Sequence, residues 1–394
     1  MQGGAAPNAG AGKHAFANAC RGVAALSVAV SHLALSFWLH PGNVRAVTGL
    51  PSPAVHAPAF AELLGRVPVN LGAFGVALFF VVSGFVIPVS LERYTARAFL
   101  AGRFIRIWPT YWAGFALTLC AILLGGRILG GTPPFNAVQA GIHFFPPLRA
   151  LLYSKPIDGI IWTLEIEFLW YGLAAALAPL LRRGARGVFL APPLLFLVFL
   201  ALWGFAEWRP PSLAKAAERL DFLLIYTPFL IFIFCGVALA YRQRGLLGRS
   251  ATAALLALCV GLFLAADASG RFAGIIEPWS YLGGLLVFIA AMACQRVVRD
   301  AGVLGFLARI SYPFYVVHGV AGFVLLDLLL AAGWPAAAAF AVTFALAIGA
   351  AWALHVMVEI PSHGLAQRVS RRLSARSART ERMGDAGSGR VTLP

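Results

Sequence analysis

The chain has 394 residues, 60% of them hydrophobic and only 12% charged, with a mean hydropathy of +0.82. A soluble protein of this size needs far more charge to cover its surface, so the soluble globular classes are excluded. The net charge of +16 does not argue for nucleic acid, because the basic residues form no aromatic-interleaved groove pattern.

Apolar runs of roughly 20 residues, the length that crosses about 30 Å of hydrocarbon, recur near 21–40, 70–91, 108–126, 160–181, 187–206, 222–241, 250–267, 275–294, 311–332 and 335–358. They predict an all-α, polytopic integral membrane bundle of about ten transmembrane helices, with the N- and C-termini cytoplasmic. The orientation follows from charge placement. Segments 1–21, 92–107, 182–186, 242–249, 295–309 and 359–394 hold 22 of the 31 Lys and Arg residues, and the longer opposite loops share 9. Cationic segments of this kind stay inside.

Three parts result: a cytoplasmic N-terminal segment 1–17, a transmembrane domain 18–362, and a basic, disordered cytoplasmic tail 363–394 suited to resting on anionic lipid. Residues 1–20 lack the pattern of a cleavable signal, no internal repeat stands out, and 131–157 is where a short re-entrant element would hide. Five scattered cysteines (Cys20, Cys120, Cys235, Cys259, Cys294) in no CxxC or CxxH spacing support neither a metal site nor a disulfide framework.

Ionisable side chains inside a span are costly and are functional candidates by default. In the first span, RGVAALSVAVSH, Arg21 stands at the cytoplasmic start and His32 eleven residues on. That is almost three turns, so both share one face roughly 16 Å apart along the axis. FFVVSGFVIP places Ser83 and Gly84 in the second span, where small residues let helices approach closely. A nucleophilic Ser83 is the sharper reading, but no GxSxG elbow surrounds it. RAFLAGRFIRIWPTYW then supplies Arg97, Arg103 and Arg106 ahead of the third span. The guanidinium fork suits phosphate, Pro109 suits a helix start, and Tyr111 and Trp112 suit an interfacial belt.

The fourth span contains WTLEIEFLWY, which sinks Glu167 roughly 12 Å from its outer boundary. Glu165 points about 200° away around the helix, so the two carboxylates cannot share a partner. The ninth, ARISYPFYVVHGV, carries His318 roughly 13 Å past Arg309. Three helices thus deliver His32, Glu167 and His318 to one level; a buried ion-pair network holding the bundle together is the competing reading. His14, His40, His56, His143, His355 and His363 have no comparable company and read as loop or interfacial residues.

In this order and at these distances, the segments resemble the membrane acyltransferase 3 family, bacterial O-acyltransferases (O-acetylases) of surface polysaccharides and some secondary metabolites. The resemblance covers about 18–362 and includes the Arg21-to-His32 spacing, FFVVSGFVI at 79–87, RFIRIWPTYW at 103–112, WTLEIEFLWY at 162–171, SYPFYVVH at 311–318 and EIP at 359–361. It implies that the family's essential arginine and histidine fall on Arg21 and His32, its glutamate on Glu167, its later histidine on His318 and its basic pair on Arg103 and Arg106. The chain departs from the family pattern at Ala77, where an acidic residue often precedes FFxxSGF, and at Ala19 and Cys20, where Asp-Gly is common.

The resemblance implies acyl-CoA, usually acetyl-CoA, as a co-substrate rather than a permanently bound cofactor. It also implies a saccharide or glycoside hydroxyl as acceptor near the outer face, and a multi-pass place in the bacterial inner membrane. On this reading His32 is the general base, Glu167 or His318 orients it or stabilises its cation, Arg21 guides the pantetheine end or counters the developing negative charge, and Arg103 and Arg106 hold the CoA phosphates. A transient acyl-His32 or acyl-Ser83 is the variant within this class. The rival class is a proton-coupled transporter relaying through His32 and Glu167, which predicts Gly/Pro-broken helices in symmetric halves.

Overall fold

The computed structural model describes residues 15–51, 56–152, 154–208, 211–270, 276–298 and 301–388, and among these it is helical with no strands. The long helices are α1 (Ala15–Leu39), α2 (Leu71–Arg93) and α3 (Ala96–Leu129). Two short helices follow, α4 (Ala137–His143) and α5 (Pro146–Leu151), then α6 (Ile161–Ala176). Next come α7 (Arg186–Trp208), α8 (Ala214–Gln243), α9 (Arg249–Asp267) and α10 (Pro278–Ala293). The last are α11 (Gly302–Val317), α12 (Val320–Ala331), α13 (Ala336–Leu354) and α14 (Ile360–Ser388).

Among the described residues each of the ten predicted spans is largely helical, but they are not equal. Among the described residues seven helices are long and apolar enough to cross a membrane, or eight if the bent pair α11–α12 is one span. The other two, α6 and α10, have sixteen residues each. Pro179, just past the α6 C-cap Leu177, removes a backbone donor and restarts the chain as a separate turn. The result is an all-helical membrane bundle.

Its centre is α2, which packs against α1, α8 and α10. In their most apolar stretches, 72% of α2 and 83% of the α8 span are buried inside the protein, against 28% of α7 and 22% of α9, which form the rim. Glycine permits the central crossing: a Cβ on Gly84 would collide with the Ile233 carbonyl oxygen of α8, and one on Gly236 with the Val81 carbonyl oxygen of α2. α1 and α2 run antiparallel, since Gly72 faces Ser31 at one end and Phe16 meets Phe85 toward the other.

Four local expectations are corrected. First, α3 begins at Ala96, capped by the Thr95 hydroxyl accepting from the Ala98 amide, so Arg97, Arg103 and Arg106 lie on its first turns and Pro109 lies mid-helix. Second, Tyr111 and Trp112 are not a simple belt: the Trp112 indole and that of its neighbour Trp108 both donate to the Phe144 carbonyl, at 2.8 and 3.0 Å. With Tyr111 donating to the His143 carbonyl at 2.9 Å, they bind the short helices α4 and α5 to the middle of α3. Third, the ninth span starts at Gly302 and is bent by 73° between Val317 and Val320. Fourth, the tail expected to be disordered from residue 363 is helical through Ser388. It packs on α3, where Ser370 Oγ donates to the Ala98 carbonyl (2.9 Å) and the Thr95 amide donates to Ser374 Oγ (3.2 Å). Small side chains there let α14 dock closely. Residues 1–14 and 389–394 fall outside the described chain.

Candidate active site

Two departures from regular helix meet at the first cluster. Within α1 the residues Ser31–Ser36 form a π-helical turn, and this turn carries His32. The break between α11 and α12 falls at His318 and Gly319; irregular backbone at such depth is tolerated where it lines a cavity. His32 Nδ1 lies 2.9 Å from His318 Nε2, with the rings stacked at 15°.

The proton positions follow from the outer partner. His318 Nδ1 is 2.8 Å from the Phe314 carbonyl, one turn back, and a carbonyl can only accept, so Nδ1 carries the proton and Nε2 is bare. His32 Nδ1 must then donate, which leaves His32 Nε2 with its lone pair free. His318 is fully buried and His32 half-buried. His32 lines a cavity of about 180 Å³ together with His40, Asn43, Asp158, Gly319 and Phe323.

A second, larger cavity of about 400 Å³ is lined by Arg21, Arg93, Arg103 and Arg106, by Glu167 and Glu359, and by apolar residues of α2 such as Val76, Phe79 and Phe80. Arg103 lies over the Phe99 and Tyr171 rings, 5.4 and 5.1 Å from their centroids. Tyr171 donates to Glu167 Oε1, and Glu359 is engaged by His355 Nδ1 at 2.6 Å on a second π-helical turn, His355–Glu359. No carboxylate lies within ion-pairing distance of Arg21, Arg103 or Arg106 among the described residues. Three guanidiniums that line one cavity without a bonded anion suit a phosphate-bearing ligand.

The two cavities reach opposite ends of the bundle. The cationic one extends to Ser90, Arg93 and Tyr94 at the C-terminal end of α2, whereas the histidine one extends to His40 and Asn43, past the C-terminal end of the antiparallel α1. Ile160 lines both. Beside it, Thr163 Oγ1 donates to the Ile160 carbonyl at 2.9 Å, so the 2.6 Å contact between Thr163 and Tyr315 has the tyrosine hydroxyl as donor. Tyr315 in turn packs 5.8 Å from the His318 ring. Ile160, Thr163 and Tyr315 form the seam between the arginines and the histidine pair.

The expected meeting of three residues is therefore half realised. His32 and His318 are bonded, but Glu167 turns into the cationic cavity, as does Arg21, which shares a helix but not a cavity with His32. The axial estimate of depth carries no information about direction across the bundle. The His32–Glu167 relay required by a proton-coupled transporter is not formed. Glu165 is structural: it takes both Arg149 Nε and Nη2 and the Tyr226 hydroxyl, all in a buried site. Ser83 lines the cationic cavity with its hydroxyl unpartnered among the described residues, and its neighbour Gly84 makes the close helix contact.

Sequence reasoning missed Glu359, Tyr315 and above all Asp158. Within Pro156-Ile157-Asp158-Gly159 this aspartate reads as an ordinary turn residue. It is 1% exposed, and burial pushes its carboxyl up to about 7.

Comparison with known proteins adds three findings. The protein family described as an acyltransferase domain, acyltransferase 3, matches residues 14–356. The exopolysaccharide production protein ExoZ of Rhizobium meliloti (strain 1021) is similar to this chain, 28% identical over 334 residues that cover 78% of this chain and 96% of that protein. No solved structure matches it.

Proposed function

The chain belongs to the acyltransferase 3 family and is a multi-pass membrane acyltransferase, and on that premise we propose that it moves an acyl group, acetyl in the first instance, from cytoplasmic acyl-CoA to a hydroxyl of a cell-envelope saccharide or glycosylated metabolite. The similarity to an exopolysaccharide production protein supports the saccharide acceptor. The bias of Lys and Arg supports cytoplasmic termini in the bacterial inner membrane, with the C-terminal end of α2 facing the cytoplasm.

One observation carries the reading: His32 Nδ1 is bonded to a histidine whose own tautomer is set by a carbonyl, and the free Nε2 belongs to a residue lining a cavity opposite the arginine-lined one. In the proposed reaction His32 Nε2 takes the acceptor's hydroxyl proton as that oxygen attacks the thioester carbonyl. Collapse of the tetrahedral intermediate breaks the C–S bond, and the imidazolium returns its proton to the departing thiolate. The products are the ester and free CoA. His318 holds the base in its tautomer and shares its positive charge.

Arg21, Arg103 and Arg106 are suited to the donor's phosphates at the cytoplasmic end, and the apolar stretch of the same cavity suits the pantetheine arm. The acyl end would have to reach past the seam of Ile160, Thr163 and Tyr315. Direct transfer is favoured over an acyl-Ser83 intermediate, since nothing bonded to Ser83 Oγ among the described residues could take its proton.

Mass spectrometry of cell-surface glycans tests this reading. Cells carrying the wild-type protein should show an acyl ester that is absent with His32→Ala at equal membrane levels; acylation retained by that variant would overturn the assignment.

A further inference from the structure

Asp158 uses one carboxylate oxygen for structure and leaves the other unpartnered. Oδ1 accepts from the Ile160 amide at 3.3 Å, at the entry to α6. Oδ2 is buried and has no hydrogen-bond partner among the described residues. A serine or asparagine would cap the Ile160 amide as well, so the cap does not account for the second oxygen. A buried carboxyl oxygen with no protein partner is a costly arrangement that a ligand hydroxyl would relieve.

The surroundings point the same way. Asp158 lines the His32 cavity, whose volume of about 180 Å³ far exceeds the ~15 Å³ that one water requires. A Cβ on Gly319, the residue after His318, would come 3.8 Å from Asp158 Oδ1 and 3.7 Å from Ile160 Cγ2. A bare backbone thus keeps space beside the carboxyl at the very step where the histidine pair is presented. The same cavity offers Asn43 and His40 at its mouth and the Phe323 ring on its wall. Polar groups of this kind beside an aromatic face suit a ring that is apolar on its C–H face and hydroxylated at its rim.

We infer that Asp158 is an acceptor-binding residue: it takes a second, neighbouring hydroxyl of the molecule whose first hydroxyl is deprotonated by His32, so that the enzyme selects vicinal polyols over simple alcohols. This rests on the acyl-CoA-to-hydroxyl reading above and narrows its acceptor.

The test uses purified protein in proteoliposomes with acetyl-CoA as donor and two small surrogate acceptors, glycerol and propan-1-ol, which differ in having or lacking a neighbouring hydroxyl. Alcohol-dependent release of free CoA and formation of the acetyl ester are followed for each. A hydrogen bond to a carboxyl should favour glycerol about ten-fold or more in kcat/KM in the wild type. Asp158→Ser retains a cap for Ile160 and removes the second oxygen; its glycerol-to-propan-1-ol ratio should fall to about three, the count of hydroxyls on glycerol, whatever its absolute rates. Asp158→Asn, of the same shape, should lie between the two.

A ratio that stays at the wild-type value in both variants, whatever their absolute rates, overturns the role of Asp158 and leaves the acyltransfer reading standing. If the wild type releases CoA with neither alcohol, the selection of vicinal polyols fails, while the acyltransfer reading stands or falls on the glycan measurement above.

Discussion

Replacing His318 tests the histidine pair most directly, because its proposed contribution runs entirely through His32. His318→Ala deletes the acceptor 2.9 Å from His32 Nδ1 and strands that N–H in a half-buried site. Losing one buried hydrogen bond of this type is worth about 1–3 kcal/mol, and it also frees His32 to adopt the tautomer whose Nε2 is protonated and useless as a base. The expected loss in kcat is about 5- to 150-fold by the same energies. His32→Ala removes the base itself and should cost about 10²–10⁴-fold. Since one residue acts through the other, the double variant should be no slower than His32→Ala alone. The assay is CoA release coupled to ester formation in proteoliposomes. His318→Asn, which can again offer an oxygen acceptor to His32, should recover part of the rate. Multiplicative losses in the double variant, or an unimpaired His318→Ala, would refute the pairing as the source of the effect.

Further outcomes separate structure from chemistry. Glu165→Ala leaves Arg149 buried without its carboxylate and should destabilise the fold by about 3–5 kcal/mol; Glu167→Ala, which loses only the Tyr171 hydrogen bond, should cost less, about 1–3 kcal/mol at most, but turn over poorly. Thermal unfolding in detergent checks this, and a larger stability loss for Glu167→Ala would reverse the assignments. Arg103→Ala and Arg106→Ala should raise KM for acetyl-CoA about ten-fold or more while leaving S-acetyl-pantetheine, which lacks the phosphates, unaffected; equal losses with both donors would remove the phosphate role. Gly84→Ala drives a methyl group into the Ile233 carbonyl and should cost about 1–3 kcal/mol by overpacking. Gly204→Ala on α7, with nothing within 4 Å of its would-be Cβ, should be neutral or stabilising in the same unfolding measurement.

What the amino-acid order determined is what depends on local composition and axial rise. The apolar runs specified helices and a membrane setting, because a lipid-exposed backbone must satisfy its own hydrogen bonds. The same runs singled out His32, Glu167 and His318, because ionisable groups there are too costly to be incidental. Rise per residue gave a level along the membrane normal, and by itself it could not say which way each side chain turned. That was decided in three dimensions. The π-helical turn Ser31–Ser36 shifts the phase of α1, the break at His318–Gly319 opens the ninth span, and together they join the two histidines while Glu167 faces Tyr171 in another cavity. Asp158 shows the same limit: its turn-like neighbourhood is local and readable, but its burial, with its amide donating to His143 Nε2 of α4, exists only in the assembled bundle. Direction around an axis and burial by distant chain are properties of packing, and only the assembled bundle contains them.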